Sequence, residues 1–194
     1  MAVQELNIRN NRGRREYPLN VMRRRVLWEV CRPAFRYSPR PAFGWRNMLL
    51  SLFGAQIGKH VHIYNSATIY MPWNLTIGDW SAIGEWVLVY NLGHTVMGSK
   101  TTISHRAHVC AGTHDYEDPD LPLVRERIEI GDQAWICADA FVGPGIKIGE
   151  GAIVGARAVA VKDIEPWAIV VGNPARQIGT RSLSRGEKPT YGTA

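Results

Sequence analysis

The sequence predicts an all-β solenoid. The chain should wind into stacked coils with three short flat faces, preceded by a short α-helical arm and interrupted by one projecting loop. Three observations predict this. From Ile130 an aliphatic residue returns every six positions, at Ile136, Val142, Ile148 and Val154, with a small residue after each (Gly131, Cys137, Gly143, Gly149, Gly155). Upstream, the trios Ile57/Ile63/Ile69, Ile77/Ile83/Val89 and Met97/Ile103/Val109 keep the same spacing, with a step of eight from trio to trio. After Val109 the ruler lapses until Ile130. A helix would need spacings of three and four and a simple strand a spacing of two, so neither template fits.

A six-residue period suits a coil in which one apolar side chain per face points into a narrow shaft and the small residue after it lets the backbone turn the corner. Successive coils then pair as parallel strands buried along the shaft. Three faces make an 18-residue coil, and the eight-residue step lengthens the upstream coils to 20. Residues 20 apart should therefore stack about 4.8 Å apart. Asn74, His94 and His114 would form such a column.

The arm occupies residues 1–53. Its first 46 residues hold 11 arginines against Glu5, Glu16 and Glu29, a net of +8 that leaves −2 for the rest of a chain of net +6. MRRRVLWEVCRPAFRY predicts a short amphipathic helix with Val21, Val26, Leu27 and Val30 against a basic side, and AFGWRNMLLSLFG a second. Two roles are open to these helices. They could cap the open end of the shaft, or an arginine cluster beside Trp28, Phe35 and Trp45 could meet anionic lipid. The coils occupy 54–178 and a tail, expected to be flexible, 179–194. About 13 extra residues at one corner make the loop, about 113–128, in which Pro119 and Pro122 prevent a helix or central strand. His114 stands at its root.

No apolar run approaches the roughly 18 residues of a membrane span, and MAVQELNIRN lacks the apolar core of a secretory signal, so a cytoplasmic location is the expectation. Cys31, Cys110 and Cys137 form no CxxC pair, so neither a disulfide framework nor a structural zinc site is suggested. No nucleic-acid motif accompanies the basic arm, and nucleic acid is not expected as a partner.

LFGAQIGKHVHI, PWNLTIGDWSAIGE, CAGTHDY, RIEIGDQAWI and VKDIEPWAIVVGNPAR resemble the hexapeptide-repeat acyltransferases, which fold as left-handed parallel β-helices. The resemblance covers residues 54–178. It is best to the O-acetyltransferases of colanic-acid-type exopolysaccharide biosynthesis and more distant to the galactoside and maltose acetyltransferases. It implies acetyl-CoA as co-substrate, no metal, a homotrimer with active sites between subunits, and a sugar hydroxyl, free or lipid-linked, as acceptor. His114 matches the general base of that family, and a neutral imidazole suits removal of a hydroxyl proton near pH 7. Asn91 resembles an acceptor-side asparagine. His94, Asp115 and Tyr116 are further candidates for the acceptor. Family counterparts of Ala138, Gly155 and Ala156 line the pantetheine groove, Trp135 matches a tryptophan beside the donor channel, and Lys162 and Arg176 fall where basic residues meet the nucleotide end.

Three alternatives remain at this point, one of them a non-catalytic solenoid that serves as a scaffold and binds no donor, against which the HDY and GNPAR elements argue. An amino group of a nucleotide-linked sugar would be served by the same base. The gamma-class carbonic anhydrases share the fold and bind metal through three histidines, but the histidines here, at 60, 62, 94, 105, 108 and 114, lack the HxxxxH pair of that class.

Overall fold

The computed structural model describes residues 5–14 and 16–183. It is a parallel β-helix. One face stacks five strands from Gln56–Ile57 to Lys147–Ile148, the second stacks six parallel strands from His62–Ile63 to Ala168–Val171, and the third stacks five from Thr68–Ile69 to Val159–Ala160. The ruler residues are the register. Ile57, Ile77, Met97, Ile130 and Ile148 pair in turn along the first face, and Ile63, Ile83, Ile103, Ile136 and Val154 along the second. Except for half-buried Ile57, every one of the fourteen ruler side chains is 2% exposed or less, so the shaft is a dry, continuous core. The last strand, Arg176–Thr180, folds back antiparallel on Ala168–Val171 and runs two residues past the expected end of the domain. Of the expected tail, 184–194 lie outside the described residues.

The small residues after the ruler positions do not turn the corners as expected. The left-handed residue falls three positions after the ruler residue and is mostly not glycine: His60, Trp80, Lys100 and Gln133 follow Ile57, Ile77, Met97 and Ile130 with φ between 56 and 60°. That conformation aims an N–H back at the preceding coil, from Trp80 to the Lys59 carbonyl (2.9 Å) and from Lys100 to that of Asp79 (2.7 Å). The glycines serve close stacking instead. A Cβ on Gly98 would lie 2.3 Å from Asp132 Oδ1 and 2.6 Å from the Asp132 nitrogen, because that carboxylate reaches over to accept from the Ser99 amide at 2.7 Å.

Strand N–H groups of each coil donate to carbonyls of the next, as in Gly58 to Ile77 and Gly78 to Met97, both 2.8 Å. Carbonyls of the first coil therefore face away from the stack, and an uncovered sheet edge is a liability. The arm covers it. After α1 (Ile8–Gly13) come α2 (Leu19–Arg36) and α3 (Phe43–Leu52), and side-chain donors from the last two meet the free carbonyls. Trp28 Nε1 donates to Ile69 (2.8 Å), Arg46 Nε to Ile63 (2.6 Å) and Asn47 Nδ2 to Val61 (2.8 Å). This need for donors sets the buried face of α2. Trp28 and Phe35 turn inward, whereas Val26, Leu27 and Val30, expected to pack, are 57–71% exposed. Among the described residues no helix is long and apolar enough to cross a membrane.

Candidate functional site

The loop leaves the third face as a hairpin, Gly112–His114 antiparallel to Leu123–Arg125, with His114 opposite Leu123. It returns to its starting point: the Ala111 carbonyl accepts from both Gly93 (3.3 Å) and Glu126 (3.0 Å), so the insertion rejoins the coil within one residue of where it left. This geometry corrects the expected column. Thr95 pairs with Leu75 on one side and Ile128 on the other, so His94 lies between Asn74 and Arg127, and His114 is displaced outward on the hairpin.

His114 is exposed, and its Nδ1 lies 2.7 Å from the Leu121 carbonyl oxygen. A carbonyl only accepts, so Nδ1 carries the hydrogen and a neutral ring presents its lone pair at Nε2. A general base needs this tautomer. Leu121 achieves the contact from a left-handed backbone (φ 44°), between a turn to Asp118 (2.9 Å) and the Pro122 carbonyl that holds the Asp115 amide (3.1 Å).

The other acceptor-side candidates divide. His94 is half-buried with Nε2 3.1 Å from Thr76 Oγ1 on the first face. Tyr116 is 82% exposed, while Asp115 Oδ1 closes a turn by accepting from the Glu117 amide at 3.0 Å. Asn91 is fully buried, and both ends of its amide are taken by the backbone of Met71: Oδ1 accepts from the nitrogen (2.9 Å) and Nδ2 donates to the oxygen (2.7 Å). Asn91 therefore belongs to the fold and not to an acceptor pocket. The buried corner there needs a side chain that both donates and accepts, and a sequence motif cannot distinguish that need from ligand binding.

On the donor side, Ala138 and Ala156 occupy equivalent corners of adjacent coils, one residue before left-handed Asp139 and Arg157. The Ala138 carbonyl accepts from Arg157 at 2.9 Å, and among the described residues no backbone acceptor takes the amide of either alanine. Gly155 differs from expectation. It is buried, its amide donates to the Val170 carbonyl (2.8 Å), and a Cβ there would lie 2.7 Å from Val171 Cγ1, so its smallness serves stacking. Trp135 stands on the outer second face, 44% exposed, its indole N–H donating to Ser104 Oγ at 2.8 Å. Lys162 and Arg176 come together at the C-terminal end in one cleft of about 370 Å³, where Asp163 and Glu165 partly offset their charge. The alanines lie at the corner between the second and third faces, whereas the His114 hairpin leaves the corner between the third and first. A single chain thus holds the alanines and the His114 hairpin on different corners, while Lys162, after Val159–Ala160, falls on the hairpin's own corner.

Among the described residues no three His, Cys, Asp or Glu side chains gather as metal ligands. Residues that sequence reasoning missed lie in the arm: Asn7, Asn10, Asn11 and Tyr17 pack against the loop. No repeat or motif signalled them.

The family model for the bacterial transferase hexapeptide (six repeats) matches residues 127–160. The putative colanic acid biosynthesis acetyltransferase WcaF of Escherichia coli (strain K12) is 38% identical over 162 residues, covering 84% of this chain and 89% of that protein. The chain belongs to the hexapeptide-repeat transferase family. Solved structures agree on the fold. A maltose O-acetyltransferase from Clostridium difficile 630 superposes with a TM-score of 0.78 at 20% identity, covering 93% of this chain and all of that one. A hexapeptide-repeat-containing acetyltransferase from Vibrio cholerae O1 biovar eltor, complexed with acetyl coenzyme A, gives 0.77 at 20% identity over 86% and 91% of the two chains. Among the described residues the His114 hairpin is the one long excursion between coils of this scaffold.

Proposed function

We propose that this hexapeptide-repeat transferase moves an acetyl group from acetyl-CoA to a sugar hydroxyl in the biosynthesis of an exopolysaccharide or related surface glycan, with His114 as general base. The observation that carries the reading is the orientation of His114: its Nδ1–H is committed to the Leu121 carbonyl, and Nε2 is left to accept a proton. The similarity to an acetyltransferase of colanic acid biosynthesis over most of both chains supports the donor and the substrate class.

The chemistry follows from that geometry. Nε2 takes the acceptor proton as the sugar oxygen attacks the thioester carbonyl carbon. The Leu121 carbonyl stabilises the resulting imidazolium through Nδ1–H, and when the C–S bond breaks the proton passes to the departing thiolate. Holding both substrates together makes the attack effectively unimolecular. The free amides of Ala138 and Ala156 suit the pantetheine carbonyls, Trp135 flanks that groove, and Lys162 and Arg176 suit the phosphates. Tyr116, Asp115 and His94 border the space for the acceptor. In the homotrimer that the family resemblance implies, the hairpin of one subunit faces the alanine corner of the next.

A peripheral contact with the inner face of the membrane fits a lipid-linked acceptor. With Trp28 and Phe35 turned inward, α2 presents Leu19, Met22, Val26 and Val30 outward, the last three lining one groove with Arg25 and Glu29. Sedimentation with vesicles containing phosphatidylglycerol should carry the wild type down and leave the Val26→Glu/Val30→Glu variant in solution. Equal behaviour of the two proteins would remove the membrane from the proposal.

The decisive experiment follows thiol release from acetyl-CoA with a panel of sugars, amino sugars and lipid-linked oligosaccharides. His114→Ala should lose transfer by about 10² to 10⁴-fold, the contribution of a positioned base, while still binding the donor. Undiminished transfer by His114→Ala would overturn the assignment of the base, and absence of donor binding in the wild type would overturn the reaction.

A further inference from the structure

The described residues between Asn7 and Tyr17 precede the capping helices and are fastened to the His114 loop. The Asn7 amide donates to the Pro119 carbonyl at 2.8 Å, and the Asn10 side chain meets the Asp120 carboxylate. Tyr17 is held between Arg25 and Arg125, each guanidinium about 4.5 Å from its ring (4.6 and 4.3 Å), and Arg125 closes the second hairpin strand. The most specific contact is made by Asn11 from α1. Its Nδ2 donates to the carbonyls of Asp120 and Leu121, both at 2.8 Å. The second of these is the oxygen that accepts from His114 Nδ1.

One carbonyl thus receives two donors, one from the candidate base and one from a helix more than a hundred positions away in sequence. Leu121 presents that oxygen only because its backbone is left-handed, a conformation that residues with a Cβ seldom adopt unless their surroundings hold them there. Inside the loop the hold consists of the Leu121 amide on Asp118, the Asp120 amide on the Asp118 carboxylate and the Asp115 amide on the Pro122 carbonyl. From outside it, Asn11 clamps two successive carbonyls with one amide nitrogen.

We infer that Asn11 is a positioning residue for the reaction, acting through the Leu121 carbonyl to hold His114 in the tautomer with the free Nε2. The inference rests on His114 being the base. If the clamp is lost, Leu121 can relax toward the right-handed region and turn its oxygen away. The imidazole then divides between tautomers, and the form with hydrogen on Nε2 cannot accept the acceptor's proton. The α1 segment is therefore part of the active-site support.

Three variants test this in the full-length protein: Asn11→Ala, Asn11→Asp and Asn11→Ala combined with His114→Ala. Asn11→Asp keeps size and shape but turns a carboxylate oxygen toward two carbonyls, so a space-filling role would survive it and a clamp would not. The expected result is a fall in kcat of about 10- to 100-fold for both single variants, the range that a slightly misplaced catalytic group produces, with KM for acetyl-CoA unchanged. In the His114→Ala background the Asn11→Ala change should cost nothing further, because its effect runs through the imidazole. Wild-type kcat in Asn11→Asp would overturn the inference, as would an Asn11→Ala penalty that persists undiminished without His114. Full activity of His114→Ala alone would instead remove the general base itself, an outcome distinguishable from failure of the clamp.

Discussion

Arg46 is fully buried and has no carboxylate partner among the described residues, so replacing it tests how the solenoid is capped. Its guanidinium donates from Nε to the Ile63 carbonyl (2.6 Å), from one terminal nitrogen to Ser38 Oγ (2.9 Å) and the Pro39 carbonyl (2.8 Å), and from the other to the Arg40 carbonyl (2.7 Å). Arg46→Met keeps helix propensity and much of the volume while removing every donor. Two buried acceptors, the Ile63 carbonyl and Ser38 Oγ, lose this donor, whereas Pro39 and Arg40 are exposed and the Pro39 carbonyl keeps the Ala42 amide. At about 2 kcal/mol for each buried group left unsatisfied the cost is about 4 kcal/mol. Part returns, because a buried charge is itself costly, and burial already lowers the pKa of this guanidinium. The expected net loss is about 3 kcal/mol, read as the midpoint shift in urea unfolding by far-ultraviolet circular dichroism, with protein concentration matched because oligomers stabilise by mass action. Arg46→Lys should lose a comparable amount, since one ammonium cannot span acceptors spread over a planar fork. A loss below about 1 kcal/mol for Arg46→Met would refute the reasoning and show that the first coil does not need donors from the arm.

Gly98→Ala should destabilise by about 2 kcal/mol or more in the same assay, because its Cβ would meet the Asp132 backbone at 2.6 Å and the coils must part to admit it. Gly44→Ala in α3, where a Cβ meets nothing within 4 Å, should instead stabilise by about 0.5 kcal/mol; a similar loss in both would contradict the stacking argument. His108 packs edge-on against Phe141 with its Nε2 unpartnered among the described residues, and burial lowers its pKa. The unfolded chain, with an ordinary histidine pKa of about 6.5, then binds the proton more readily than the folded one. The stability of the neutral form is complete above about pH 6.5 and is lost as pH falls through that value toward the lowered folded pKa. His108→Leu should flatten the dependence of Tm on pH over that window. Parallel Tm curves for the two proteins would show that His108 does not set it.

How much was legible depended on the range of the interaction. Ile63, Ile83 and Ile103 announce the coil because each face repeats the same local requirement for one inward apolar residue, and the lapse after Val109 announces the loop by default. The reading of α2 failed on its face. Val26, Leu27 and Val30 are apolar, but Trp28 alone carries a donor that reaches the Ile69 carbonyl, and that need arises from a coil edge built 41 residues later. Asn91 and Gly155 fit ligand motifs equally well as they fit stacking, and only their neighbours, Met71 and Val171, separate the two.

By itself the sequence determined the period, the shaft-facing residues, the place of the loop and the histidine at its root, since a solenoid is set by repeated contacts between nearest coils. Tertiary structure alone decided which face of α2 lies inward, that His114 stands clear of the His94 column, and that Asn11 shares the Leu121 carbonyl with it. The contacts of Trp28 and Asn11 form once each, across 41 and 110 residues of sequence, and a contact made once leaves no period to read.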